Sequence, residues 1–404
     1  MTSELKYSQY RERFQKELFR RIGYTNTLYD ISRFGTIIKE TRELFPVSVV
    51  TLVRCIQTRH PELRGQDYAT GAVDVMGALG ILKRVGQRVV LTERGRALAA
   101  VTQQPWYEEI KQHFFLQAVL ESDGDYTLNL LRLLSGAVAG DEAIRVVGVK
   151  FFGEMLLLLQ RKKEEVSTAI NAKFIRDRAI SYLEKAEQSI RYGVLREARP
   201  KPLTLDERLR QLRAGKSSKT VTKLGEPTET VEHTLKPRRG WLTDLGLLRV
   251  GKDKRYELTE GGSALLNQTR LYGFEVNGLL RVPFSSVVAD ALGIQGVKTI
   301  GPDYFHRLAV AVYSGKAARE YQGHKEDFFE ELKLFFGFCR LRLFNQAETA
   351  ALYEAMALNS ARKREVLSSQ RFEQLLEETL QNYPDRVYRV AGRRGREGYV
   401  SFRR

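Results

Sequence analysis

Two stretches of the chain set out apolar and polar residues in the same order. Residues 78–99 read ALGILKRVGQRVVLTERGRALA, and residues 244–266 read DLGLLRVGKDKRYELTEGGSALL. With one residue inserted in the second, both give Leu-Gly-x-Leu, a basic stretch, a short apolar run and L-T-E-x-G-x-x-L. A long pattern used twice is a supersecondary unit used twice. The pattern predicts a helix end, a β-hairpin and a new helix. Gly80 and Gly246 stand where a helix stops in the left-handed conformation that glycine tolerates. Ile81-Leu82 and Leu247-Leu248 begin a strand, and Val89–Leu91 and Tyr256–Leu258 return it. Gly86-Gln87 and the run from Gly251 to Lys254 supply the turns. Thr92 and Thr259 suit the N-cap of the following helix, with Glu93 and Glu260 favourable in its first turn.

A helix followed by a two-stranded basic hairpin is the second half of a winged helix-turn-helix. Both copies resemble the wing region of prokaryotic winged-helix DNA-binding domains, in which an L-T-E-x-G-x-x-L phrase closes the wing. The layout of several such units joined by helical connectors is similar to the recognition regions of type IIS restriction endonucleases. That likeness is architectural and carries only the wing motif. It implies a mainly α fold with small β-hairpin wings.

The rest of the chain divides around the two copies. Residues 1–45 form a basic helical segment, with Tyr10, Phe14, Leu18 and Ile22 recurring at helical spacing. Residues 46–104 make the first winged helix: a helix beginning at Pro46, a turn at Pro61-Glu62, and a last helix over Tyr68–Leu79. Residues 105–195 read as a helical connector, in which Phe151–Lys163 is a buried core helix turning abruptly basic. Residues 196–270 hold a basic linker and the second winged helix; the stretch 191–225 has ten Lys/Arg against three Asp/Glu. Residues 271–404 are a further helical domain. Lys325–Phe338, Ala347–Ala357, a short segment near Ala361–Leu367 and Phe372–Asn382 read as helices. A hairpin follows from Val387–Ala391 to Tyr399–Phe402. Helices and then a hairpin suggest a third winged helix, although the L-T-E phrase is missing.

Charge sharpens this picture. The 404 residues carry a net charge of +17, which points to a polyanionic partner. The expected partner is double-stranded DNA. In the second copy Lys236, Arg238 and Arg239 flank the start of the pre-wing helix, where arginines reach base edges or phosphates in a major groove. Trp241 follows on the expected core face. The matched positions of the first copy, Gly71 to Val75, are apolar or acidic. That copy is expected to touch phosphate through Lys83, Arg84 and Arg88 on its wing. The wing of the second offers Lys252, Lys254 and Arg255, and the last hairpin Arg393, Arg394 and Arg396. The pre-wing helix of that last unit carries Glu373, Glu377 and Glu378, a poor face for a phosphate groove.

Other chemistry is not called for. The sequence has no G-x-x-x-x-G-K-[ST] loop and no G-x-S-x-G elbow. Two cysteines, Cys55 and Cys339, and five scattered histidines leave no metal-ligand spacing, so neither metal nor cofactor is expected. Asp303, Glu326 and Lys333 can be strung into a nuclease-like set, a coincidence expected among 49 acids. No run of about 18 apolar residues exists, so the reading is a cytoplasmic protein without membrane association. Together these features point to a non-catalytic DNA-recognition subunit of a prokaryotic defence, restriction or mobile-element system, such as antiviral defence. Other subunits would supply ATPase or nuclease activity. The alternatives are a kleisin-like scaffold of an SMC-type ATPase and a plasmid replication initiator.

Overall fold

The computed structural model describes residues 30–63, 66–135, 237–252, 256–269, 303–314, 318–341, 344–391 and 398–403. They are mainly helical, with small two- and three-stranded sheets. The chain forms two compact units that do not follow chain order. One combines residues 30–122 with 301–404 and is called the split unit here. The other, the central unit, comprises residues 123–300 with 1–29.

The split unit begins with α1 (Arg33–Thr41), β1 (Val47–Ser48) and α2 (Val49–Arg59). Then come α3 (Gln66–Ala78), the strands β2 (Leu82–Val85) and β3 (Arg88–Leu91), and α4 (Glu93–Val101). The hairpin matches the sequence expectation to within a residue. The start of α2 does not. Pro46 precedes the helix; Val47 is drawn into the sheet opposite Val89, and Ser48 caps α2 by accepting from Thr51 N–H at 3.1 Å. Helix α5 (Tyr107–Ser135) is broken at Asp123, whose φ of −140° and ψ of 21° leave the helical region.

The described part of the central unit is compact and short. It holds the end of α5, α6 over residues 237–244, β4 (Leu248–Val250), β5 (Tyr256–Leu258) and α7 (Glu260–Thr269). The chain re-enters the split unit at α8 (Tyr304–Ser314), followed by β6 (Arg319–Glu320) and α9 (Lys325–Cys339). Next are β7 (Ala347–Glu348), α10 (Thr349–Arg362), β8 (Glu365–Val366) and α11 (Ser369–Asn382), and the hairpin β9 (Val387–Val390) and β10 (Tyr399–Phe402). The segment expected to be a short helix near Ala361–Leu367 is the end of α10, a turn and β8. Arg364 stops the helix at φ 61°, and Glu365-Val366 pair in parallel with Arg319-Glu320.

The two ends of the split unit share one topology. Residues 33–91 run helix, strand, helix, helix, strand, strand, with the sheet ordered β1-β3-β2. Residues 325–402 run α9, β7, α10, α11, β9, β10, with the sheet ordered β7-β10-β9; the short β8 pairs elsewhere. In each the last strand lies in the middle and pairs antiparallel on both sides. The core of the first end includes Phe34, Ile38, Leu52, Ile56, Met76 and Val89, and that of the second Phe328, Phe335, Leu352, Phe372 and Val400. Helix α4 packs on α10 and joins the two cores.

Candidate nucleic-acid interface

The repeated phrase is a backbone closure. At the end of α3, Ile81 N–H donates to Met76 O (2.9 Å) and Gly80 N–H to Gly77 O (3.1 Å), with Gly80 at φ 71°. At the end of α6, Leu247 N–H donates to Leu242 O (2.8 Å) and Gly246 N–H to Thr243 O (2.9 Å), with Gly246 at φ 68°. Both are glycine-terminated helix ends in which the last carbonyls find donors. The threonine of L-T-E then bonds back to that end. Thr92 Oγ1 donates to Gly80 O and accepts from Gly95 N–H at 3.0 Å. Thr259 Oγ1 donates to Gly246 O at 2.6 Å and accepts from Gly262 N–H at 3.1 Å. The motif glycine is steric. A Cβ on Gly95 would stand 2.1 Å from Ile81 O, and one on Gly262 would stand 2.2 Å from Leu247 O.

This closure aims a hairpin outward. On β2–β3, Leu82 and Val89 face the core, while Lys83, Val85 and Arg88 share the solvent face. Gly86 turns the tip at φ 60°. Lys83, Arg84 and Arg88 are all exposed. Arg84 reaches back to Asp74 on α3 at 2.9 Å, which ties the hairpin to the preceding helix. The α3 face beside it offers Tyr68, Asp74 and Gly77, with no cation.

In the second copy the structure corrects the sequence reading of Arg238. Its side chain is 4% exposed and does not face a groove. Nε donates to Asp123 Oδ2 at 2.5 Å and Nη2 to Asp123 Oδ1 at 2.8 Å, a two-pronged ion pair at the break in α5. Its guanidinium carbon lies 6.0 Å from the centre of the Trp241 ring, and Trp241 is buried as expected. Arg239 is half-buried and lies over the Tyr256 ring at 4.5 Å. Lys252 is exposed at the hairpin turn, and Arg249 beside it pairs with Glu257 at 3.1 Å. Lys236, Lys254, Arg255, Arg393, Arg394 and Arg396 lie outside the described residues, as do residues 1–29, Phe151–Lys163 and the basic linker.

In the last hairpin, β9 is tied to the acids of α11. Arg389 bonds Glu377 at 2.9 Å and Glu373 at 3.1 Å on α11, whose outer face is Gln374, Glu377 and Glu378.

Two buried polar clusters escaped the sequence reading. Arg94, the variable residue of L-T-E-x-G, bonds Glu121 on α5 (2.6 Å) and Glu354 on α10 (3.4 Å). Burial lowers the Arg94 pKa, but the two carboxylates outweigh it and raise it; burial and Glu121 raise that of Glu354 despite Arg94. Burial pushes His306 and His113 down to about 4 each; the His113 ring lies 4.7 Å from that of Tyr313, tilted against it. Asp303 serves a structural purpose. It accepts from Tyr353 Oη (2.7 Å), Ser369 N–H (3.1 Å) and Ser369 Oγ (3.0 Å). Among the described residues no cluster of three or more His, Cys, Asp or Glu could hold a metal. None of their helices is long and apolar enough to cross a membrane.

Compared with protein-family models, curated proteins and solved structures, the chain matches none.

Proposed function

We propose that the chain is a non-catalytic DNA-binding protein built from winged helices, which contacts duplex backbone through its exposed hairpins. The observation that carries this reading is the hairpin β2–β3. It projects three exposed cations, Lys83, Arg84 and Arg88, from a closure that the chain uses twice, in a molecule of net charge +17. Phosphate neutralisation by such cations dominates nucleic-acid affinity and makes it salt-dependent. A recognition subunit of a prokaryotic defence, restriction or mobile-element system, with catalysis on other chains, is the role that fits.

The test is a labelled duplex titrated at several salt concentrations. If six or more phosphates are neutralised, log affinity falls with log salt at a slope of about −5 or steeper. Replacing Lys83 and Arg88 together by alanine should make that slope shallower by about 2, since each lost phosphate contact removes about 1. A flat salt response, or an unchanged slope in the double variant, rejects the reading. With Arg238 paired to Asp123, Arg239 is the proposed base reader of the second copy, and its replacement by alanine should weaken binding without flattening the slope by more than about 1.

One observation favours a second reading for the split unit alone. Its two pre-wing helices, α3 and α11, present Asp74, Glu377 and Glu378 outward rather than cations. That suits winged helices serving as scaffold, as in a kleisin-like subunit of an SMC-type ATPase. Duplex binding lost through the central unit but not through Lys83 and Arg88 would favour it.

A further inference from the structure

The split unit contains a cleft of about 630 Å³ that the nucleic-acid reading does not use. Its walls come from the chain before β1, from β3 and α4, and from the end of α9 and the segment after it. Pro46, Val90, Leu91, Phe338, Leu341 and Phe344 make it largely apolar. Phe344 is 60% exposed and Phe338 45% exposed, although both are large aromatics of a chain with an ample core. Leu334, one helical turn before Phe338 on α9, is exposed as well. Apolar surface gathered in one place marks an interaction site, whereas single exposed residues do not.

The charged groups of the cleft are unbalanced. Among the described residues, Arg42 pairs with Glu43 at 3.1 Å and Arg96 with Glu348, whereas Arg340 lines the cleft exposed and without an ion pair. Arg96 has a sharper deficit. Its Nη2 bonds Glu348 and its Nη1 donates to Leu91 O at 2.7 Å, but its Nε is buried with no hydrogen-bond partner among the described residues. A buried donor left unmade is costly, so such a group in a cleft wall calls for an acceptor.

We propose that this cleft docks a short segment of a partner protein that carries bulky apolar side chains next to a carboxylate. The apolar walls take the side chains, and the carboxylate lies toward Arg96 and Arg340. The volume is in the range of pockets that hold a few side chains or a small ligand, roughly 300–1,000 Å³. A nucleic-acid backbone fits less well, because it carries a phosphate on every residue and these largely apolar walls offer a donor at few places. The proposal stands apart from the DNA reading, since none of its residues belongs to the exposed hairpin cations.

Two fluorescein-labelled pools of short peptides test it on the full chain. One mixes Leu, Phe and Trp with Asp and Glu; the other has the same apolar residues with Lys and Arg. The acidic pool should bind at least about tenfold more tightly than the basic pool. Because a basic protein attracts acidic peptides anywhere, the deciding measurement uses Phe344→Ser and Phe338→Ser. Both side chains are well exposed, so each variant should keep its thermal midpoint, and each should weaken the acidic pool about tenfold. Equal affinity for the two pools, or acidic-pool binding unchanged in both variants, overturns the proposal. So does a duplex affinity that falls about tenfold in Phe344→Ser, which would assign the cleft to nucleic acid. Self-association that Phe344→Ser abolishes would assign it to a second copy of the chain and overturns it equally.

Discussion

The two L-T-E-x-G copies close their hairpins with the same hydrogen bonds and differ in what their last helix does. In the first copy, α4 buries Gly95, Ala97, Leu98, Ala99, Ala100 and Val101 and packs on α10. Its Arg94 and Arg96 bond Glu354 and Glu348, more than 250 residues along the chain. In the second copy, α7 has Gly261 at the position of Arg94 and leaves Ser263, Asn267 and Gln268 exposed. The closure is therefore what the motif encodes, and the residues left variable inside it decide what each copy is attached to. The first copy is joined to distant chain; the second keeps its own arginine, Arg238, for the broken helix α5.

Arg94→Ala should expose that difference most strongly. It leaves Glu354 and Glu121, each 23% exposed, near each other without their cation; breaking a buried ion pair from one side costs about 3–5 kcal/mol, and this partly buried one should fall at the lower end of that range. Urea unfolding of the full chain would measure it. The matched change, Gly261→Ala, meets nothing closer than 3.4 Å. It should shift stability by less than about 1 kcal/mol, within the helix-propensity gain. Equal losses at the two positions would break the comparison.

Acid should act on the split unit through His306. Its folded pKa of about 4 lies below the ordinary 6.5 because burial disfavours the charged ring. The folded state therefore binds the proton less readily than the unfolded chain. The stability this reflects is complete above pH 6.5 and is lost as pH falls toward 4, at up to about 1.4 kcal/mol per pH unit. His113, also lowered to about 4 by burial and by the neighbouring His306, acts in the same direction over the same pH range. Stability measured at steps between pH 6.5 and 4 should fall less steeply in His306→Gln than in the parent chain; parallel curves would rule His306 out.

The shared part of the comparison is tested by Gly95→Ala and Gly262→Ala. Each methyl would meet a carbonyl oxygen near 2 Å, at 2.1 Å and 2.2 Å respectively. Both should destabilise by about 1–3 kcal/mol, the usual cost of overpacking. A neutral result at either glycine would mean that the two closures are not equivalent. The smallest effect on stability belongs to Lys83→Ala with Arg88→Ala. These exposed side chains should change it by no more than about 0.5 kcal/mol, so any loss of duplex binding reads contact rather than folding.

The closure and the hairpins were legible in the sequence because every bond in them is local. Gly80, Thr92 and Gly95 lie within one stretch, and the requirement for glycine follows from backbone geometry alone. The three long helices and the closing hairpin of residues 325–402 are legible for the same reason, whereas β7 and β8 are not, because their partners β10 and β6 lie far along the chain. The Arg238 partner was not. Asp123 stands 115 residues away, in a helix whose break at that position leaves no compositional mark. An arginine in the first turn of a helix reads alike whether it faces a phosphate or a buried carboxylate. The start of α2 was misplaced because Pro46 is a common first helical residue, whereas the pairing of Val47 with Val89 depends on strand β3, some forty residues downstream. The Arg94 cluster was invisible for want of any pattern joining residues 94, 121 and 354.

The split unit also sets an order of events during synthesis. The apolar face of α4 is complete once Val101 has been made, but α10, which covers it, begins at Thr349. At about 5–20 residues per second, the ribosome takes roughly 10–50 s to cross that interval. Throughout it, an alanine- and leucine-rich surface is exposed on the nascent chain while the central unit emerges. Closing a loop of that length costs entropy before any contact returns it. Maturation of the split unit therefore waits for α10, and until then the nascent chain is exposed to chaperones or to pairing with a neighbouring polypeptide on the same message.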